Sequence, residues 1–169
     1  MYLTTFGLGR MRPASGTWGS LPPAVIGAGL MWIGQGPREC VISGGPGSVW
    51  YLAMAVMVIL PSWWCIKYGS IAEAVNGRKD PGFVVADETA GMALTLICLP
   101  HFAMTTPILA MRTIALAFFA FRLFDVLKLW PANGMQKYSA GWGILLDDLV
   151  AAIQAAVLMW VVAYLARGM

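Results

Sequence analysis

Two pairs of neighbouring carboxylates lie where apolar segments of this sequence begin. Asp87 and Glu88 occur in VVADETAGM, and Asp147 and Asp148 occur in GILLDDLVAA. A carboxylate beside an apolar helix is costly unless it is paired with a cation or binds a metal. Hard oxygen ligands in this number suit Mg²⁺, whose shell is completed by water and substrate phosphate. We therefore predict that the four acids are catalytic metal ligands. The alternative for each is a helix-capping or first-turn residue stabilised by the helix dipole, or a partner of a nearby Lys or Arg.

A third charged segment, FRLFDVLKLWP, covers residues 121–131. Arg122, Asp125 and Lys128 follow one another at a spacing of three, which places them on one ridge of a helix. The two cations suit a phosphate, and Asp125 would orient them or bind the metal, so it is a further catalytic candidate. The alternative is a surface ridge that neutralises its own charge.

The opening segment GLGRMRPASGTWGS, residues 7–20, is rich in glycine and hydroxyl side chains. Such a loop can present backbone N–H groups to an anion. Gly16, Thr17 and Ser20 are therefore predicted to bind phosphate, and Thr17 is also a candidate nucleophile. The segment is neither a dinucleotide fingerprint nor a P-loop.

The composition indicates that these groups sit in a membrane protein. Hydrophobic residues make up 59% of the chain, charged residues only 11%, and the mean hydropathy is +0.72. Soluble domains usually have about a quarter of their residues charged. The 169 residues predict one domain, residues 1–169, with an all-α, multi-spanning fold of about four or five short transmembrane helices.

Uncharged runs locate the spans. The clearest are residues 48–66 and 149–166, while residues 21–33 form a shorter, glycine-rich candidate. Residues 84–124 predict two helices that turn near PHFAMTTP, residues 100–107, because two prolines bracket this segment,.

Basic residues predict the orientation. Five spans with a cytoplasmic N-terminus place residues 1–20, 67–88 and 122–148 inside. The inner basic residues are then Arg10, Arg12, Lys67, Arg78, Lys79, Arg122, Lys128 and Lys137, against Arg38, Arg112 and Arg167 outside,. The inner acids are Glu73, Asp80, Asp87, Glu88, Asp125, Asp147 and Asp148, against Glu39 outside. The polar site is accordingly expected at the cytoplasmic side.

The chain lacks the residues that other phosphatase mechanisms require. Cys40, Cys65 and Cys98 form no CxxC pair, and none is followed six positions later by an arginine,. His101 is the single histidine of the chain, too few for a histidine-nucleophile lipid phosphatase. Metal-assisted chemistry remains. No run of like charges indicates a nucleic-acid partner.

Four segments, residues 6–21, 80–92, 121–131 and 141–152, resemble in order and spacing the hallmark segments of the phosphatidylglycerophosphatase A family. The resemblance covers the chain end to end. It implies an all-helical enzyme of the bacterial inner membrane that requires Mg²⁺ and hydrolyses phosphatidylglycerol phosphate, a phospholipid substrate, to phosphatidylglycerol and inorganic phosphate.

Several alternatives stay open at this point. The attacking group is either a metal-activated water or Thr17, and the oligomeric state is undetermined. A small transporter would also carry ionisable residues near helix ends, but inverted repeats and midplane charges are not evident. A lipid-headgroup transferase of the CDP-alcohol type would need an aspartate series that the chain lacks.

Overall fold

The computed structural model describes residues 14–37, 47–77, 81–135, 138 and 140–168, and within them it contains helices and no strand. The predicted all-α fold is confirmed. The elements are α1 (Ser15–Trp32), α2 (Ser48–Asn76), α3 (Ala86–Ile97), a 3-10 turn (His101–Met104), α4 (Pro107–Leu127), α5 (Ala132–Met135) and α6 (Ala140–Arg167).

Some of the sequence predictions concern residues outside this description. They involve Arg10, Arg12, Arg38, Glu39, Cys40, Arg78, Lys79, Asp80 and Lys137.

Three of the described helices are long and apolar enough to cross a membrane: Ser48–Asn76, Pro107–Leu127 and Gly141–Arg167. The expected four or five spans included α1 and α3 as well. Helix α3 has 12 residues and is therefore about 18 Å long, which is shorter than the ~30 Å hydrocarbon core of a bilayer. The long helices expose many large hydrophobic side chains, among them Leu52, Phe119 and Val157, and these provide the apolar surface that lipid contact requires.

Helix α3 lies at the centre of the bundle, in contact with α1, α2, α4 and α6. Most of its residues are buried, including Met92 and Leu96. The turn predicted at residues 100–107 is confirmed by the 3-10 segment His101–Met104, which leads from α3 into α4. The apolar run before this turn is thus a core helix surrounded by other helices.

Small residues allow close helix crossings that fix the elements around α3. A Cβ on Gly69 of α2 would lie 2.6 Å from the Cα of Gly141 in α6, so the two backbones nearly touch. A Cβ on Gly91 of α3 would lie 2.7 Å from the ring of Phe121 and 3.1 Å from the carbonyl oxygen of Asp148. These contacts hold the first turns of α6 beside the first turns of α3.

Candidate active site

Three carboxylates gather where α3 begins. Asp87 and Glu88 lie in the first turn of α3, where the positive end of the helix dipole favours negative charge,. Asp148 comes from α6, and one oxygen of each of the three carboxylates lies within 4.8 Å of the others. Asp87 and Asp148 are only 4% and 3% exposed. We call these three residues the carboxylate cluster.

The cluster has more negative charge than its own contacts neutralise. Burial, followed by the charge of Asp148, raises the pKa of Glu88 to about 8, although a hydrogen bond with Asp87 and the charge of Arg122 act in the opposite direction,. Oε2 of Glu88 and Oδ2 of Asp148 are buried, and neither has a hydrogen-bond partner within the described residues. Buried carboxylate oxygens in this state are costly. An all-oxygen donor set of this kind fits Mg²⁺.

Arg122 and Asp125 border the cluster from α4. Nη1 of Arg122 donates to Oδ2 of Asp125 at 2.5 Å. The carboxyl group of Asp125 is in turn within hydrogen-bonding reach of Asp148. Asp125 is 8% exposed, so this part of the predicted ridge faces the bundle interior. The pair therefore places a guanidinium beside the cluster.

Lys128 and Asp147 form a second ion pair next to the cluster. Nζ of Lys128 donates to Oδ2 of Asp147 at 2.5 Å, and Oδ1 of Asp147 accepts the backbone N–H of Asp148 at 3.1 Å. Lys128 ends α4 in the left-handed region, with φ 44° and ψ 52°, a conformation that is unfavourable for a residue with a Cβ. The structure thus brings together three of the four predicted metal ligands and places Asp147 against Lys128.

Residues 16–20, which were expected to form a loop, are the first turns of α1, and their binding of phosphate stays a prediction. The backbone N–H of Thr17 donates to the carbonyl of Ala14 at 3.0 Å, and the hydroxyl of the buried Ser20 donates to the carbonyl of Gly16 at 2.8 Å. Glycine-rich composition indicated a flexible loop, but here the glycines permit close helix packing. A Cβ on Gly19 would lie 2.6 Å from the Cβ of Val85.

Gly16 is the residue of this segment that reaches the cluster. A Cβ built on Gly16 would collide with Oε1 of Glu88 and would lie 2.8 Å from both terminal nitrogens of Arg122. Thr17 is partly exposed on the next position of the helix. The first turn of α1 therefore adjoins the site, while Ser20 is occupied within α1.

Thr89, which no sequence pattern above indicated, joins α1 to α3. Its hydroxyl lies 2.7 Å from the carbonyl oxygen of Gly19 and 2.9 Å from that of Val85. The small residues in ADETAGMA could have indicated this contact, because they allow another helix to approach α3 closely on the face beside Glu88. Thr89 thus helps to hold the first turn of α1 at the cluster.

The fold and the site together define an integral membrane protein whose charged groups meet at one buried centre. The sequence profile described as phosphatidylglycerophosphatase A matches residues 1–163. The chain therefore belongs to the phosphatidylglycerophosphatase A family, and it is an enzyme, a lipid phosphatase. Family membership decides between the enzyme and the transporter in favour of the enzyme.

Individual relatives share most of the chain. A protein of Haemophilus influenzae named phosphatidylglycerophosphatase A is 31% identical over 94% of this chain and 85% of its own length. A protein of Bacteroides thetaiotaomicron named putative phosphatidylinositol-3-phosphatase is 28% identical over 94% of this chain and 92% of its own. The phosphatidylglycerophosphatase A of Escherichia coli is 32% identical over 52% of this chain and 48% of its own length. No solved structure matches the chain significantly.

Proposed function

We propose that the protein hydrolyses the phosphate monoester of phosphatidylglycerol phosphate to phosphatidylglycerol and inorganic phosphate, and that it requires Mg²⁺. The observation that carries the proposal is the carboxylate cluster, in which buried oxygens of Glu88 and Asp148 have no hydrogen-bond partner within the described residues. Asp87, Glu88 and Asp148 would hold the ion. Such an ion would supply Lewis-acid chemistry to the site, which would favour attack by water and offset negative charge on the phosphate.

The cations beside the cluster would bind the substrate phosphate. Arg122 offers a planar guanidinium that suits two phosphate oxygens, and Asp125 fixes its position through the 2.5 Å contact,. Lys128 offers a point charge that Asp147 holds in place. In this arrangement Asp147 would position Lys128 and would not bind the metal. Stabilising the spread charge of the phosphoryl group is the main task in such a transfer.

The group that attacks phosphorus is water or Thr17. Thr17 lies one residue after Gly16, whose Cα faces Glu88 and Arg122.

The membrane gives the substrate its orientation. The acyl chains would remain in the bilayer beside the long apolar helices, and the headgroup would enter the site from the side where α4 ends and α6 begins. The excess of basic residues in residues 1–20, 67–88 and 122–148 supports a cytoplasmic position for that side, in the bacterial inner membrane.

A comparison of two substrates tests the headgroup, because relatives are named for two different lipids. Both lipids carry a phosphate monoester on a phosphatidyl headgroup. Phosphate release by the purified protein is measured from phosphatidylglycerol phosphate and from phosphatidylinositol 3-phosphate, each with Mg²⁺ and with EDTA. We expect Mg²⁺-dependent release that is faster from phosphatidylglycerol phosphate. Full release in EDTA would remove the metal from the mechanism, and faster release from the inositol lipid would reassign the substrate.

A further inference from the structure

A groove of about 530 Å³ lies between α4 and α6, away from the carboxylate cluster. This volume is within the usual range of small-ligand sites. Its walls include Leu109 and Leu116 of α4 and Val162 of α6. Among the described residues that line it, only Arg112 and Arg167 are ionisable, and both are exposed. The groove is therefore apolar along its length and positively charged at two points.

The two arginines lie at the opposite end of the bundle from the catalytic residues. Helices α4 and α6 run antiparallel, because Lys128 at the end of α4 contacts Asp147 near the start of α6. At 1.5 Å per residue, about 24 Å of helix separates Lys128 from Arg112, and about 28 Å separates Asp148 from Arg167. These lengths approach the ~30 Å thickness of the hydrocarbon core. Both guanidinium groups are thus placed near the headgroups of the other leaflet.

Contacts beside the groove hold its walls in place. Trp160 of α6 donates its indole N–H to the carbonyl of Cys98 at 2.8 Å and packs edge-on against Phe102, with ring centroids 5.7 Å apart. The hydroxyl of Thr113 in α4 donates to the carbonyl of Ala103 at 2.7 Å. These contacts fix residues 98–103 against both helices. A ligand would therefore bind to a preorganised surface, which lowers the cost of binding.

Neither arginine has an acidic partner in the described part of the chain. The described acids Asp125 and Asp147 pair with Arg122 and Lys128 at the other end of the bundle. Arg167 lies over the ring of Phe102, 5.0 Å from its centroid, and this contact adds no negative charge to the arginine's surroundings. An arginine at a lipid-facing interface is stabilised by an anion, and the guanidinium matches phosphate geometry.

We propose that the groove binds one anionic phospholipid from the leaflet opposite to the catalytic site. Its phosphate would lie between Arg112 and Arg167, and an acyl chain would follow Leu109, Leu116 and Val162. The lipid would hold α4 against α6, the two helices whose other ends carry Arg122, Lys128 and Asp148. This inference depends on the groove and its charges, and it stands independently of the proposed reaction.

Native mass spectrometry of the purified protein tests the site. Dioleoyl phosphatidylglycerol and dioleoyl phosphatidylcholine are titrated in EDTA into the parent and into the double variant Arg112→Gln/Arg167→Gln. The control is Lys67→Gln, which removes an exposed positive charge from α2. We expect the parent and the control to retain phosphatidylglycerol at a roughly tenfold lower concentration than phosphatidylcholine, because each basic residue attracts the anionic headgroup. The double variant should lose this preference and keep its phosphatase activity.

Three results would overturn the proposal. They are equal retention of the two lipids by the parent, an unchanged preference in the double variant, and displacement of the lipid by inorganic phosphate alone. If the double variant does not fold, Leu116→Trp tests the site instead, because the larger side chain fills the groove and leaves both arginines in place. Lipid retention should then fall, and full retention by Leu116→Trp would also contradict the site.

Discussion

Gly16 leaves the space that Glu88 and Arg122 occupy. A methyl group there would collide with Oε1 of Glu88 and lie 2.8 Å from the terminal nitrogens of Arg122. We therefore expect Gly16→Ala to lower kcat by about 10–100-fold, because a small displacement of catalytic groups is costly. Phosphate release by the purified variant measures the effect.

Gly29 provides a matched control on the same helix. A Cβ at Gly29 would meet no atom within 4 Å. Gly29→Ala should keep full activity and stabilise α1 by about 1 kcal/mol. If Gly16→Ala is as active as Gly29→Ala, the first turn of α1 is not part of the site.

The raised pKa of Glu88 links metal-free stability to pH. The folded value is about 8 against an ordinary value of 4.5, so the folded state binds a proton more tightly than the unfolded state does. In EDTA, the contribution of this proton to stability is complete below about pH 4.5 and is lost as the pH rises through about 8. Glu88→Gln removes the titrating group.

We therefore expect Glu88→Gln in EDTA to have a higher Tm than the parent at pH 8, by a few degrees, and a flatter pH profile. It should nevertheless be inactive. Thermal unfolding between pH 5 and pH 9 measures this, and saturating Mg²⁺ should reduce the difference by neutralising the cluster in the parent. A parent Tm that rises with pH in EDTA would be the opposite of the expected result.

The sequence indicated which acidic residues lie together, but it did not indicate the local conformation around them. The sequence indicated Asp87, Glu88 and Asp148 because carboxylates beside apolar helices need a partner. It did not separate Asp148 from Asp147, since adjacent positions on a helix point about 100° apart and the packing of α6 on α3 decides which one faces the cluster. The helical conformation of residues 16–20 was missed for a similar reason, because composition carries no information about which helix packs on the segment.

At the scale of elements, hydropathy located the membrane helices but not their ends. The apolar runs 48–66 and 149–166 lie within α2 and α6, which extend to Asn76 and begin at Ala140. Helix α2 continues through polar residues until Gly77, where φ is 65° and glycine is favoured,. The role of α3 as a central helix depends on its packing against four other helices, which no local pattern contains.

The crossing of α2 and α6 gives a prediction for these elements. A side chain at Gly141 would collide with the carbonyl oxygen of Cys65 and lie 2.8 Å from the Cα of Ile66. Gly141→Val should therefore destabilise the protein by about 1–3 kcal/mol and move the start of α6 away from α3. Thermal unfolding in detergent should show a lower Tm together with weaker activity.

Gly134 in α5 is the control, because a Cβ there would meet nothing within 4 Å. Gly134→Ala should unfold at the temperature of the parent. Equal stability of Gly141→Val and Gly134→Ala would show that the close crossing does not support the fold.

At the scale of the whole molecule, the proposed orientation predicts which loops are accessible from each side. Single cysteines are introduced at two exposed positions, Thr105 before α4 and Tyr138 before α6, in a protein whose native cysteines are replaced. A membrane-impermeant maleimide should label Thr105→Cys in intact spheroplasts and Tyr138→Cys only after permeabilisation. The reverse pattern would place the carboxylate cluster at the outer face.

The central claim is that Asp87, Glu88 and Asp148 hold a divalent cation, and direct binding of Mn²⁺ tests it most closely. Electron paramagnetic resonance measures free Mn²⁺ during titration of the purified parent, of Asp147→Asn, and of the triple variant Asp87→Asn/Glu88→Gln/Asp148→Asn. We expect saturable binding by the parent that Mg²⁺ competes away, retained binding by Asp147→Asn, and loss of binding by at least 100-fold in the triple variant, because the charged ligands are gone. Equal binding by the parent and the triple variant, or no binding by the parent, would contradict the account.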